Sequence, residues 1–433
     1  MSKITFLGAG SSIFAKNVLG DCMRVEALQN FEIALFDIDH ERLKDSEQML
    51  NNIKMNLKST VTIVSYTDRK AALRDAKYVF NAIQVGGYDP STIIDFEIPK
   101  KYGLRQTIAD TVGIGGIFRS LRTIPVMMDF AKDMQEVCPD AWLLNYTNPM
   151  AALTGTMLRY TGIKTVGLCH SVQGCAEDLL KSLDMPTDNI QWEIAGINHV
   201  AWLLEINRNG EDLYPEIKRR ALEKQKEKHN DMVRFELMLR FGYYVTESSE
   251  HNAEYHPYFI KSQYPELIDR FNIPLDEYPR RCISQIEEWK KMREDLVNDE
   301  NLTHKRTSEY GSYIIEAMET DQPIKIGGNV LNTGGLISNL PENACVEVPC
   351  LVDASGISPI YVGELPEQLA AINRTNINTQ LLTIQAAMTG KKEHIYHAAM
   401  LDPHTSAELS IDDIVAMCDE LIEAHGEMLP EYK

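Results

Sequence analysis

A chain of 433 residues, 44% hydrophobic and 24% charged, has the make-up of an ordinary globular protein with room for two domains or for one large domain and an appended lobe. Its formal net charge of -20 argues against a nucleic-acid or anionic-membrane partner, since both need clustered Lys and Arg, and gives no reason to expect a polyanionic substrate. No apolar segment follows a basic start, no apolar run approaches the roughly 20 residues of a membrane span, and the Cys residues show no CxxC pairing, so a cytoplasmic protein with reduced thiols is expected.

From the start to about residue 185, short apolar runs alternate with helical patterns. Ile4–Leu7, Glu32–Asp37, Thr62–Tyr66, Tyr78–Ile83, Ala141–Tyr146 and Thr165–Leu168 read as strands, and Ser12–Leu28, Glu41–Leu57 and Arg119–Val137 as helices. This alternation predicts an α/β fold, a Rossmann-like doubly wound parallel sheet. The pattern then changes. Gln191–Ile194 and Val200–Ile206, followed by Asn209-Gly210, read as an antiparallel pair closed by a turn. One long charged helix is predicted over Pro215–Phe241, where Lys218-Arg219-Arg220 to Lys228 is interleaved with Glu and reads as a solvated face. Gly-rich turns at Gly327-Gly328 and Gly334-Gly335 flank strands such as Ala344–Leu351. The reading is of two domains, 1–190 and 191–433, the second an α+β lobe packed on the first.

Several segments carry chemistry. Gly8-Ala9-Gly10-Ser11 joins the first strand to the first helix, where Gly8 permits a tight turn and Gly10 lets a pyrophosphate approach the helix N-terminus. The third position of the GxGxxG fingerprint is Ile13, so the motif is incomplete and a structural turn is the competing reading. Asp37, at the end of the second strand, could accept both ribose hydroxyls and would repel a 2′-phosphate, which favours NAD over NADP. Asp110 heads a loop of small residues, Thr111 to Ile117, that could lie against a flat ring or could simply be a helix entry. Asn148, in Asn145-Tyr146-Thr147-Asn148-Pro149, could bind sugar hydroxyls as donor and acceptor at once, or could be a satisfied turn residue before Pro. Cys169 and His199 end separate strands and together could hold one divalent metal with an open shell, although a buried Cys or His is as readily plain core. Cys22, Cys138, Cys282, Cys345, Cys350 and Cys418 carry no recognisable chemistry. The stretch Glu250 to Phe259 gathers many titratable groups, and Tyr255 there could act as a base only if a cation lowered its pKa from about 10.

Taken in order, Gly8-Ala9-Gly10-Ser11, the run Gly113 to Pro125, Tyr146-Thr147-Asn148-Pro149, Cys169-His170-Ser171-Val172 and Gly196-Ile197-Asn198-His199 resemble the motifs of glycoside hydrolase family 4, NAD- and metal-dependent glycosidases outside the two-carboxylate mechanism. The resemblance spans nearly the whole chain. It implies a fold like lactate and malate dehydrogenases, with NAD and Mn²⁺ as cofactors. Its implied reaction runs through oxidation at sugar C3, loss of the C2 proton, elimination of the glycosidic oxygen, water addition at C1 and return of the hydride. It implies Gly8, Gly10, Ser11 and Asp37 at the NAD, Cys169 and His199 on the metal, Asn148 and Asp110 at the substrate, and Tyr255 as base. His170 stands where phospho-α-glucosidase members place their acid, so proton donation by His170 is inferred across a substitution. The Cys-His-Ser-Val form is similar to that of the family's α-galactosidases. Phospho-glycosidase members carry Asp or Asn after the Cys, so His170 speaks against a 6-phosphosugar. The expected substrate is a small α-galactoside of the melibiose kind, with an α-galacturonide or α-glucoside as alternatives. A simple NAD-dependent hydroxy-acid or sugar dehydrogenase, which would accumulate NADH, is the rival from another class, and a non-enzymatic NAD sensor is a third. The family usually forms homo-dimers or homo-tetramers, and the same is expected here.

Overall fold

The computed structural model describes residues 2–433. Six strands, β1 (Lys3–Leu7), β2 (Glu32–Phe36), β3 (Thr62–Tyr66), β4 (Ala76–Asn81), β5 (Trp142–Asn145) and β6 (Lys164–Gly167), run parallel in the order β3-β2-β1-β4-β5-β6. That is the order of a doubly wound dinucleotide-binding sheet, with its switch point between β1 and β4. All five residues of β1 are buried, as expected of a parallel strand covered by helices on both faces. The Rossmann-like expectation is met.

The second half does not build a sheet of its own. Its strands β7 (Ile190–Ile197), β8 (Val200–Arg208), β9 (Glu211–Asp212), β10 (Tyr244–Val245), β11 (Ile324–Leu331), β12 (Cys345–Asp353) and β13 (Gly356–Pro359) extend the first sheet, antiparallel, to 13 strands. The joins are narrow. β11 meets β6 only through Asn329 opposite Gly167, and β12 meets β7 only through Glu347 opposite Gly196.

Four sequence expectations need correction. The helix expected from Arg119 begins at Gly113 and runs to Val137. Its Gly residues are packing positions: a Cβ on Gly115 would lie 2.4 Å from the Ala109 carbonyl oxygen, and one on Gly116 2.4 Å from the Thr111 carbonyl carbon. The span Pro215–Phe241 is two helices, Tyr214–Lys224 and Met232–Phe241. The chain leaves the helix over 225–231, and the carboxylate of Asp231 holds Arg234 Nε at 2.5 Å and Ser249 Oγ at 2.8 Å and so docks the second helix. Asn209-Gly210 turns β8 into β9, whereas the β7–β8 hairpin closes on Asn198-His199. Gly327-Gly328 lies inside β11, where a Cβ would strike Val172 at 2.7 Å or Cys350 Sγ at 2.8 Å. Glycine there marks close approach, not a turn.

Candidate active site

At the carboxyl edge of β1, Gly8 has φ +89°, and a Cβ there would lie 2.5 Å from the Ala82 carbonyl oxygen. Gly10 donates its N–H to Asp37 Oδ2 at 2.6 Å, and a Cβ on Gly10 would fall 2.8 Å from that carboxyl carbon. Asp37 Oδ1 accepts the Asp39 N–H at 2.8 Å. Each carboxylate oxygen keeps a lone pair for a ribose hydroxyl. Ser11 stands at the N-cap of the helix Ser12–Cys22, and among the described residues its side chain makes no cap bond. The turn, the helix N-terminus and the carboxylate thus fit a dinucleotide.

Cys169 follows β6, and His199 occupies the two-residue turn between Ile197 and Val200, with φ +65°. Hairpin turns of this length favour such left-handed backbone. Glu247, which the sequence reading missed, joins them: Cys169, His199 and Glu247 each offer one ligand atom, and the three lie within 4.8 Å of one another. His199 Nδ1 is 2.9 Å from the Tyr255 hydroxyl. Burial holds His199 below its ordinary pKa, against the pull of Glu247, and its Nε2 faces Glu247 Oε2 at 3.3 Å. Burial also pushes the Cys169 thiol up, reinforced by the Glu347 and Glu247 carboxylates. A thiolate there requires a cation beside it. The donor set therefore fits a divalent metal.

A buried chain of polar groups leads on from this cluster. Glu247 Oε1 is 3.2 Å from His251 Nδ1, and His251 Nε2 is 3.3 Å from Asp110 Oδ1, which also accepts from Thr111 Oγ1 at 2.7 Å. Burial alone would raise Asp110, but the His251 hydrogen bond and the Arg119 charge hold its carboxyl well below the usual range. Arg119 in turn donates through Nε to the Asn148 carbonyl at 3.3 Å. Among the described residues no side-chain hydrogen bond occupies the Asn148 carboxamide, which leaves it for a ligand. Glu254 fixes the Asp110 loop: its carboxylate accepts the backbone N–H groups of Thr107, Ile108 and Ala109, the last two at 3.3 and 3.0 Å. Tyr255 is buried, and its phenol lies well above its ordinary pKa through burial and then the Asp110 and Glu247 charges. Proton abstraction by Tyr255 thus requires a cation on His199.

His170 stands apart from this cluster. It is half-exposed, stacks on Tyr146 with ring centroids 5.7 Å apart, and faces the edge of Phe14 in the helix after the dinucleotide turn. Its Nε2 is 2.5 Å from Glu309 Oε2, and that hydrogen bond outweighs burial to raise its pKa. A raised pKa suits a group that must carry a proton. Glu309 and Glu347 were also missed. Glu347 bridges from β12 to Gly196, with Oε1 2.9 Å from Asn329 Nδ2, while Asn329 Nδ2 also reaches the Gly167 carbonyl at 3.3 Å. Glu247 stands two residues ahead of the helix Ser249–Tyr255, and only its nearness in sequence to the titratable run from Glu250 could have flagged it. Nothing local points to Glu309 or Glu347.

The family 4 glycosyl hydrolase model matches residues 3–185, and the model of that family's C-terminal domain matches residues 194–405. An α-galactosidase of Bacillus subtilis is 71% identical over all 433 residues, covering 100% of both chains. A Bacillus subtilis structure, lplD, described as a glucosidase, superposes at TM-score 0.88 with 25% identity over 97% of this chain and 99% of its own. A 6-phospho-α-glucosidase from gut microorganisms, solved with NAD and Mn²⁺, superposes at TM-score 0.83 with 20% identity over 100% of both chains. A malate dehydrogenase of Plasmodium falciparum shares the fold at TM-score 0.54, with 13% identity over 91% of this chain and 100% of its own.

Proposed function

Because this chain belongs to the family 4 glycosyl hydrolases, we propose that it is an NAD- and Mn²⁺-dependent α-galactosidase acting on small α-galactosides. The observation that carries the chemistry is the 2.9 Å contact between the Tyr255 hydroxyl and the imidazole of His199, which sets a proton acceptor beside a metal ligand. The galactose assignment rests on the 71% identity to an α-galactosidase across the full length.

When bound, NAD supplies a reversible hydride acceptor and Mn²⁺ a Lewis acid for vicinal sugar oxygens. Gly8, Gly10, Ser11 and Asp37 hold the dinucleotide, and Cys169 and His199 hold the metal. Asn148 binds sugar hydroxyls through its unoccupied carboxamide, and Asp110 receives another hydroxyl at the end of its His251 contact. Tyr255 removes the C2 proton of the ring. His170, whose Nε2 meets the Glu309 carboxylate, delivers a proton to the departing glycosidic oxygen. No pair of flanking carboxylates is needed, since the bond leaves by elimination. Among the described residues no helix is long and apolar enough to cross a membrane. A homo-dimer or homo-tetramer in the cytoplasm is part of the same proposal.

The test is hydrolysis of a panel of aryl α-glycosides with NAD⁺ and Mn²⁺. The α-galactoside is expected to be cleaved at least about tenfold faster, as kcat/KM, than the α-glucoside or α-galacturonide. EDTA and exhaustive removal of NAD should each abolish the activity. Cleavage that persists after both treatments, or NADH that accumulates without aglycone release, would refute the reading.

A further inference from the structure

From the position of its carboxylate we propose that Glu247 is a third protein ligand to the divalent metal, completing with Cys169 and His199 a site that holds the ion before any sugar arrives. This deepens the reading above and rests on it.

The backbone places Glu247 with little freedom. β10 pairs with β8 through Val245 and Trp202. Thr246, the next residue, donates its N–H to the Ala201 carbonyl at 2.8 Å and accepts the Ala201 N–H on Oγ1 at 3.2 Å. Asn252 Nδ2 donates to the Thr246 carbonyl at 2.8 Å. Ala201 lies two residues beyond His199 on the same hairpin, so the segment before Glu247 is fastened to the segment after His199. Glu247 then adopts φ +65°, the same left-handed value as His199. A non-Gly residue there is strained and persists where surroundings over-determine it, commonly at functional sites. Two such residues meet here, carboxylate to imidazole.

The separation fits two ligands of one ion. Glu247 Oε2 is 3.3 Å from His199 Nε2. Donor atoms about 2.1 Å from a common cation stand about 3.0 Å apart at octahedral angles and about 3.4 Å apart at tetrahedral ones. The other atoms of the pair are already engaged: His199 Nδ1 with Tyr255, and Glu247 Oε1 with His251. The two atoms left facing each other are the ones a metal needs. The charges agree as well, because a Cys169 thiolate and the Glu247 carboxylate together balance a divalent cation, whereas two ligands alone leave it short by one. A galactoside without phosphate brings no such charge.

The experiment measures Mn²⁺ binding to the full-length protein with NAD⁺ and no sugar, from the loss of the EPR signal of free aqueous Mn²⁺, and NAD⁺ binding in parallel. Glu247→Gln is expected to weaken Mn²⁺ binding by about fivefold or more while NAD⁺ affinity holds, and Cys169→Ser to weaken it at least as much. Should Glu247→Gln fail a melting control, Glu247→Asp, whose carboxylate is withdrawn by one methylene, is expected to show the same loss. A smaller change in the Glu247 variants, with Mn²⁺ binding still lost in Cys169→Ser, would overturn the proposal and leave Glu247 as the charge partner of His251. Mn²⁺ binding indifferent to Cys169→Ser as well would instead overturn the metal reading on which it rests.

Discussion

Burial decides the charge state of Glu347. Glu347 is 1% exposed on β12, and desolvation, helped by the Glu247 charge, pushes its pKa up to about 7 despite the hydrogen bond from Asn329. The folded chain therefore keeps a proton that the unfolded chain releases above its ordinary 4.5. That contribution is fully present below pH 4.5 and is lost as pH rises through 7. In metal-stripped protein the stability gained from this group on going from above pH 7 to below pH 4.5 is about 3 kcal/mol, and Glu347→Gln should flatten that part of the profile. Denaturant titrations of both chains across the range check it; parallel profiles would show Glu347 ionised in the fold. None of this was legible in the sequence. Glu347 reaches the site through a single strand register, Glu347 opposite Gly196, and single-sequence periodicity does not encode which strands pair. His199, Cys169 and Asn148 were legible because each sits at the end or turn of a local strand pattern. Even so, their roles came from motif resemblance, since a buried Cys or His looks alike as ligand and as core.

At the scale of elements, the helix Gly113–Val137 packs against the candidate substrate loop. Its first turns press on the loop that carries Asp110, with no room for a Cβ at Gly115 or Gly116. A Gly-rich run reads locally as a loop because glycine weakens an isolated helix, but here tertiary contact overrides that preference. Hence the sequence placed the helix start six residues late, at Arg119 in place of Gly113. Gly116→Ala should lower unfolding stability by about 1–3 kcal/mol through overpacking. By displacing Asp110 it should also raise KM for an aryl α-galactoside more than it lowers kcat. Denaturant midpoints and steady-state kinetics read the two effects, and an unchanged KM in a destabilised variant would separate the loop from the substrate. The hairpin β7–β8 makes the same point from the other side. Asn209-Gly210 is the stronger turn signal by composition, yet the turn that carries His199 is Asn198-His199, because Ile197 pairs with Val200 there and neighbouring Gly196 bridges to Glu347 of β12.

For the molecule as a whole, the parallel half was readable and its continuation was not. Six short apolar runs at regular spacing announced β1–β6, and each observed strand falls within two residues of its expected start. The join to β11 and β12 passes through isolated bridges at Gly167–Asn329 and Gly196–Glu347, long-range pairings that leave no periodic trace. Those bridges bring the candidate metal cluster and Tyr255 to the edge of the sheet that carries the Gly8–Gly10 turn, and that convergence is the basis of the functional account. Its central claim is that the glycosidic bond leaves only after the ring has lost its C2 proton. The direct measurement is turnover of an aryl α-galactoside deuterated at C2, in ordinary water with NAD⁺ and Mn²⁺, with mass analysis of the galactose released. The account predicts product in which the C2 deuterium has been replaced from solvent. Galactose that retains its full C2 label would contradict it.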